Sequence, residues 1–147
     1  MALKVPPPLI LLACIILMSL TLLMPVGQIS SMPWLGVLAI AIGSIIGFMG
    51  VQAFKKAQTT ISPVAPEKSS SLVVVGIYRV SRNPMYVGMA LLLIGWAFLL
   101  GTIWVWLGVV GFVGYIHYFQ ILPEEKILAT KFGDEYQTYC CQTRRWL

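Results

Sequence analysis

Two short polar clusters hold most of the groups in this chain that can do chemistry. The first is Gly76-Ile77-Tyr78-Arg79-Val80-Ser81-Arg82-Asn83-Pro84-Met85-Tyr86 and the second is Pro123-Glu124-Glu125, with one hydrophobic hairpin between them. Together they put cations, carboxylates and neutral hydrogen-bonding groups at the mouth of a span otherwise almost free of charge. Unpaired ions there are costly, so the charges are expected to bind something polar, and a small molecule that itself carries charge fits best. The plainer alternative for Arg82 and the two glutamates is an ion pair that fixes helix ends.

The rest of the chain is built to position these clusters in an apolar setting. Of its 147 residues 59% are hydrophobic and only 10% charged, with a mean hydropathy of +0.87. A soluble domain carries about 25% charged residues, so the chain reads as an all-α integral membrane protein. Four apolar stretches, 8–26, 34–54, 85–100 and 103–121, are each near the roughly 17 to 25 residues a spanning helix needs. The expected architecture is therefore about four transmembrane helices, with spans 3 and 4 forming a tight hairpin at Gly101-Thr102. Three spans are the competing count.

Every charged side chain lies at Lys4, between Lys55 and Arg82, or from Glu124 onward. The loops at 27–33 and 101–102 carry none. With both termini in the cytoplasm all Lys and Arg fall on that side, as the positive-inside rule asks, and Trp34, Trp104 and Trp106 fall near the opposite face. The expected location is the cell membrane. A cleaved signal peptide is the alternative for the N-terminus, but the run is long and no small-x-small site follows it, so a retained helix is expected. The net charge of +5 needs no nucleic-acid partner, because aromatics are not interleaved with the basic residues as in a nucleic-acid groove. Cys14, Cys140 and Cys141 make neither a metal spacing nor a disulfide framework, so no metal site is expected.

Small residues recur at Ala39, Gly43 and Gly47, at Gly88 and Gly95, and at Gly108, Gly111 and Gly114, which suits close helix packing or room for a lipid chain. Residues 59–71 hold two prolines and six Ser or Thr, and read as a cytoplasmic loop. Ile127, Leu128, Phe132, Tyr136 and Tyr139 recur at three and four residues, which predicts an amphipathic cytoplasmic helix over 124–139 begun by Pro123. Residues 1–54 are thus two N-terminal helices and 55–147 a core of loop, hairpin and C-terminal helix.

The string Gly-Ile-Tyr-Arg-x-Ser-Arg-Asn-Pro-Met-Tyr-x-Gly, a hairpin, then Pro-Glu-Glu-x-x-Leu-x-x-x-Phe-Gly-x-x-Tyr-x-x-Tyr and a final Arg-Arg-Trp resembles the isoprenylcysteine carboxyl methyltransferase family in its small bacterial branch. That family is itself similar to the phospholipid methyltransferases. The resemblance runs from about residue 54 to 147; the first two spans match in hydropathy only. It implies an integral-membrane methyltransferase using S-adenosyl-L-methionine, bound at the cytoplasmic side between the last two spans and the C-terminal helix.

By that match Arg82, Asn83, Tyr86, Glu124 and Glu125 line the cofactor site. Glu125 and Arg145 are the catalytic candidates, with Arg144 or Arg145 holding an acidic acceptor; the alternative for the two arginines is an anchor to anionic lipid. Family members often carry His where Asn83 stands, and Asn cannot titrate. His117 is counted with the cofactor residues, its alternative being a partly solvated structural histidine. The implied partners are membrane lipids and a lipidic or membrane-partitioned acceptor, an isoprenylcysteine carboxylate being most resembled. A phospholipid amine or a small thiol is the alternative acceptor, and a non-catalytic four-span protein the alternative class. A lateral mouth for the acceptor is expected beside Gly88 and Gly111.

Overall fold

Proline opens most of the helices, where its fixed φ and missing N–H cost nothing. The computed structural model describes residues 5–23, 27–56 and 72–147. It contains α1 (Pro7–Leu20), continued by a 3-10 turn Thr21–Leu23, α2 (Pro33–Lys56), a 3-10 turn Gly76–Arg79, α3 (Pro84–Leu100), α4 (Val105–Ile116) and α5 (Leu122–Gln142). The Ser/Thr/Pro-rich loop expected at 59–71 lies outside the described residues.

The helices run up and down as one antiparallel bundle. An added Cβ at Gly36 would meet the Gly95 carbonyl at 2.8 Å, one at Gly43 the Gly88 carbonyl at 2.7 Å, and one at Gly50 the Met85 side chain at 2.7 Å, so α2 and α3 lie backbone to backbone. That close approach is what small residues at a helix interface permit. On the other side α1 inserts between α3 and α4: Trp96 Nε1 donates to Ser19 Oγ at 3.1 Å, and Met18 abuts Gly108. The shared core is Met18, Leu93, Ala97, Val105, Phe112 and Ile116 with their neighbours.

Charge separates along the bundle axis. At one end the uncharged loops join: Ile29 N–H donates to the Gly101 carbonyl at 2.8 Å and Ile103 N–H to the Gly27 carbonyl at 2.9 Å. At the other end lie Lys55, Lys56, Arg79, Arg82 and the glutamates. Large apolar side chains stand exposed all round the outside, among them Leu17, Val37, Phe48, Leu107 and Val110. A soluble protein seldom exposes so extensive an apolar surface, and a bilayer accounts for it. By length and composition Pro33–Lys56 and the continuous Val105–Gln142 are able to cross a membrane, whereas Pro7–Leu23 and Pro84–Leu100 are shorter.

Three expectations need correction. The C-terminal helix is not separate from the fourth apolar stretch, because a π-helical turn, His117–Ile121, joins α4 to α5 without a break. Nor is α5 straight: Gly133 has φ 49° and ψ −123°, and the helix folds there into two arms, 122–132 and 134–142. In a straight helix Glu125 and Arg145 would be about 30 Å apart at 1.5 Å per residue; their side chains are in contact at 2.7 Å. Of the two glycines expected beside a lateral mouth, Gly111 faces outward, since a Cβ there would meet nothing within 4 Å among the described residues, whereas Gly88 packs on the α2 backbone at Gly43 and Gly47 and also lines an apolar pocket of about 260 Å³ with Leu11, Phe48 and Met89.

Candidate functional site

Pro84 starts α3, which leaves Ser81, Arg82 and Asn83 as a short extended entry at the charged end of the bundle. The fold at Gly133 brings the chain's last residues back over this entry. Ser81 and Arg144 form an isolated parallel bridge, and Arg82 N–H donates to the Arg144 carbonyl at 2.9 Å. Asn83 Nδ2 donates to the Arg145 carbonyl at 2.9 Å, and Tyr139 Oη to the Tyr78 carbonyl at 2.7 Å.

Arg82 is the hub. Its Nη1 donates to the carbonyls of Cys140 at 3.1 Å and Thr143 at 3.0 Å, and its Nη2 to Glu125 Oε1 at 2.8 Å. Its Nε is buried and has no partner among the described residues. Arg145 takes the same carboxylate in a two-pronged grip, Nε to Oε1 at 2.9 Å and Nη2 to Oε2 at 2.7 Å. Such paired, charge-assisted bonds are the strong ones. Arg82 is 11% exposed and Arg145 37%, so Arg145 is the partner able to swing away at lower cost. Burial alone would raise the Glu125 carboxyl, but hydrogen bonds and charge from Arg145 and Arg82 outweigh it and hold it below the usual carboxylate range.

Glu124 has different company. Tyr86 Oη, reaching across from α3, donates to its Oε1 at 2.9 Å, and the carboxamide of Gln120 hydrogen-bonds both Tyr86 and Glu124. Burial pushes the Glu124 carboxyl up to about 7; the bonds from Tyr86 and Gln120 work against the rise and the adjacent Glu125 charge adds to it. Two neighbouring glutamates thus sit in opposite environments, one clasped by two guanidinium groups and one held by neutral donors.

Of the residues singled out in the sequence, Arg82, Asn83, Tyr86, Glu124, Glu125 and Arg145 converge here. The direct Arg82–Glu125 contact is the helix-tying ion pair weighed as the plainer reading, and Arg145 joins it. His117 packs its ring on edge against Tyr118 at 5.0 Å, one residue into the π turn. Arg144 contributes its carbonyl, with an exposed side chain. Gln120 was not legible beforehand, because an amide three residues before Pro123 looks like the end of an apolar span; Gly133 and the carbonyls of Cys140 and Thr143 were missed likewise.

The family described as phospholipid methyltransferase matches residues 31–135. The match takes in α2, which the motif resemblance did not cover, and ends before Arg145. A Haemophilus influenzae protein described as uncharacterized is 48% identical over 63 residues, which is 43% of this chain and 100% of that protein. No solved structure matches.

Proposed function

The chain belongs to the phospholipid methyltransferase family, and from that premise we propose that it transfers the methyl group of S-adenosyl-L-methionine to a lipidic or membrane-partitioned acceptor. The observation that carries the proposal is the meeting of Arg82, Asn83, Tyr86, Glu124, Glu125 and Arg145 at one end of an apolar bundle. The donor set suits that cofactor, which brings a carboxylate, an ammonium, a ribose diol and an adenine. The buried Nε of Arg82, which has no partner among the described residues, is a donor still to be satisfied.

When bound, the cofactor supplies an electrophilic methyl on a sulfonium, ready for in-line displacement. The chain's share is positioning and exclusion of water. Arg82 and Arg145 are the candidates for the carboxylate, with Arg145 releasing Glu125 to do so; Glu125 and Glu124 are the candidates for the ammonium or ribose hydroxyls, and Asn83 and Tyr86 complete the lining. The folded-back arm 134–147 covers this cluster and keeps it dry. In this reading all four apolar helices cross the membrane and the charged end faces the cytoplasm, in line with the positive-inside rule. The acceptor would stay in the bilayer while the cofactor enters from water.

The test uses the full chain in lipid nanodiscs with methyl-labelled cofactor and three acceptor classes: a prenylcysteine carboxylate, phosphatidylethanolamine and a hydrophobic thiol. Label transferred to one class assigns the acceptor. Absence of saturable cofactor binding under all conditions overturns the proposal.

A further inference from the structure

We infer that Gln120 is a positioning residue of this site: turned inward by the π-helical turn, its carboxamide fixes the Glu124 carboxylate and the Tyr86 hydroxyl in a single arrangement. Its meaning for methyl transfer rests on the proposed function; the arrangement itself does not.

The helix phase shows what the π turn does. The inward stripe of α4 is Val105, Val109, Phe112 and Ile116. At about 3.6 residues per turn the stripe would next fall between 119 and 120 and then at 123. The wider turn His117–Ile121, closed by Leu122 N–H on the His117 carbonyl, delays the stripe by one residue. Gln120 and Ile121 are accordingly 1% and 0% exposed while Phe119 is 53% exposed, and the next inward position is Glu124 rather than Pro123. A regular α-helix would have turned both polar groups partly away. Isolated π turns are uncommon and recur at functional sites.

Packing gives no reason for an amide at this place. Gln120 continues a stripe that is otherwise apolar, and Leu or Met would fill the same volume without a polar group to satisfy. A buried carboxamide is tolerated only when hydrogen-bonded, and its partners include the two site residues Tyr86 and Glu124. By donating to the Glu124 carboxylate it favours the ionised form and holds one rotamer. The titratable groups facing Glu124 are Tyr86 on α3, the adjacent Glu125 clasped by Arg82 and Arg145, and Tyr78 of the 3-10 turn. Glu124 therefore depends on Gln120 and Tyr86 to stay charged near neutral pH, and a cationic or hydrogen-bond-donating ligand meets it already aligned.

The test compares wild type with Gln120→Met, each as the full chain in lipid. The Glu124 carboxyl is followed by infrared spectroscopy, its band identified by its loss in Glu124→Gln. Losing one hydrogen bond to a charged group moves the midpoint upward by about one to two pH units. The acid limb of methyl transfer moves up with it. A midpoint within about 0.3 units of wild type overturns the inference, and a fall in thermal stability alone does not rescue it. Should Gln120→Met not fold, the wild-type side-chain amide of Gln120, followed by 15N NMR, must shift with the Glu124 midpoint and stop doing so in Glu124→Gln; an indifferent amide also overturns it. A wild type that binds no S-adenosyl-L-methionine ends the transferase reading, while these midpoints still decide the role of Gln120.

Discussion

Replacing Gly133 with Ala separates backbone conformation from packing more cleanly than any other change in this chain. An added Cβ at Gly133 meets nothing within 4 Å among the described residues, so no clash with them opposes the change. The cost lies in φ 49° and ψ −123°, a region that only glycine occupies freely, and holding a Cβ-bearing residue there costs about 1 to 3 kcal/mol. The competing straight helix gains about 1 kcal/mol, because Ala is a better helix former than Gly. The swing against the folded-back arm is thus about 2 to 4 kcal/mol, or roughly thirty- to a thousand-fold in the docking equilibrium. Spin labels at the exposed positions 126 and 142, in a background with the native cysteines replaced by Ser, report the outcome. A straight helix puts their backbones about 24 Å apart, and the folded arm much closer. Gly133→Ala should populate the long distance and weaken cofactor binding by a similar factor, although Gly133 touches no site residue. A short-distance distribution indistinguishable from wild type, with unchanged affinity, would refute the claim that this glycine permits the fold.

Other predictions concern packing and charge. Gly88→Leu should lower thermal stability sharply or prevent folding, because its side chain would run into the α2 backbone at Gly43 and Gly47, whereas Gly111→Leu, facing open space, should leave the melting temperature within about 2 °C. Glu124→Gln should raise stability above pH 7: the folded carboxyl titrates at about 7, above its unfolded value, so the folded state holds the extra proton and stability falls as pH rises between the two. Removing that penalty gains of order 1 to 3 kcal/mol above pH 7, and the gain should vanish below about pH 4.5 in thermal scans across pH. Glu125 runs the other way, its carboxyl being held low in the folded state by Arg145 and Arg82 against the pull of burial. Its contribution is present above the unfolded value and lost as pH falls through the folded one, so acidification in that lower range should lengthen the 126–142 spin-label distance; no change would separate arm docking from the ion pairs.

Much of the bundle was readable because its signals are local. Proline at helix starts, runs of apolar residues and the gathering of every charge at one end need only composition and order. The convergence of Arg82, Asn83 and Tyr86 with Glu124 and Glu125 was also foreseeable, since a tight hairpin brings the flanks of its two helices together. What escaped were two changes of helix phase. The 3.6-residue period through Ile127, Leu128, Phe132, Tyr136 and Tyr139 continues across Gly133 as though the helix were straight, and nothing in the pattern distinguishes a glycine on the exposed face from one at a fold. The π turn likewise leaves no compositional mark, so Gln120 looked like the last residue of a span. Gly88 serves both readings that small residues allow, a packed seam against Gly43 and Gly47 and the wall of an apolar pocket, while Gly111 serves neither because it faces outward.

The most direct measurement of the central claim is isothermal titration of S-adenosyl-L-methionine into the full chain in lipid nanodiscs, beside Glu125→Gln and Glu124→Gln. The account predicts saturable binding at one site per chain, weakened about ten- to a hundred-fold in each variant through loss of a charged hydrogen bond. Binding of equal strength in all three proteins, or no saturable binding in any, would contradict it.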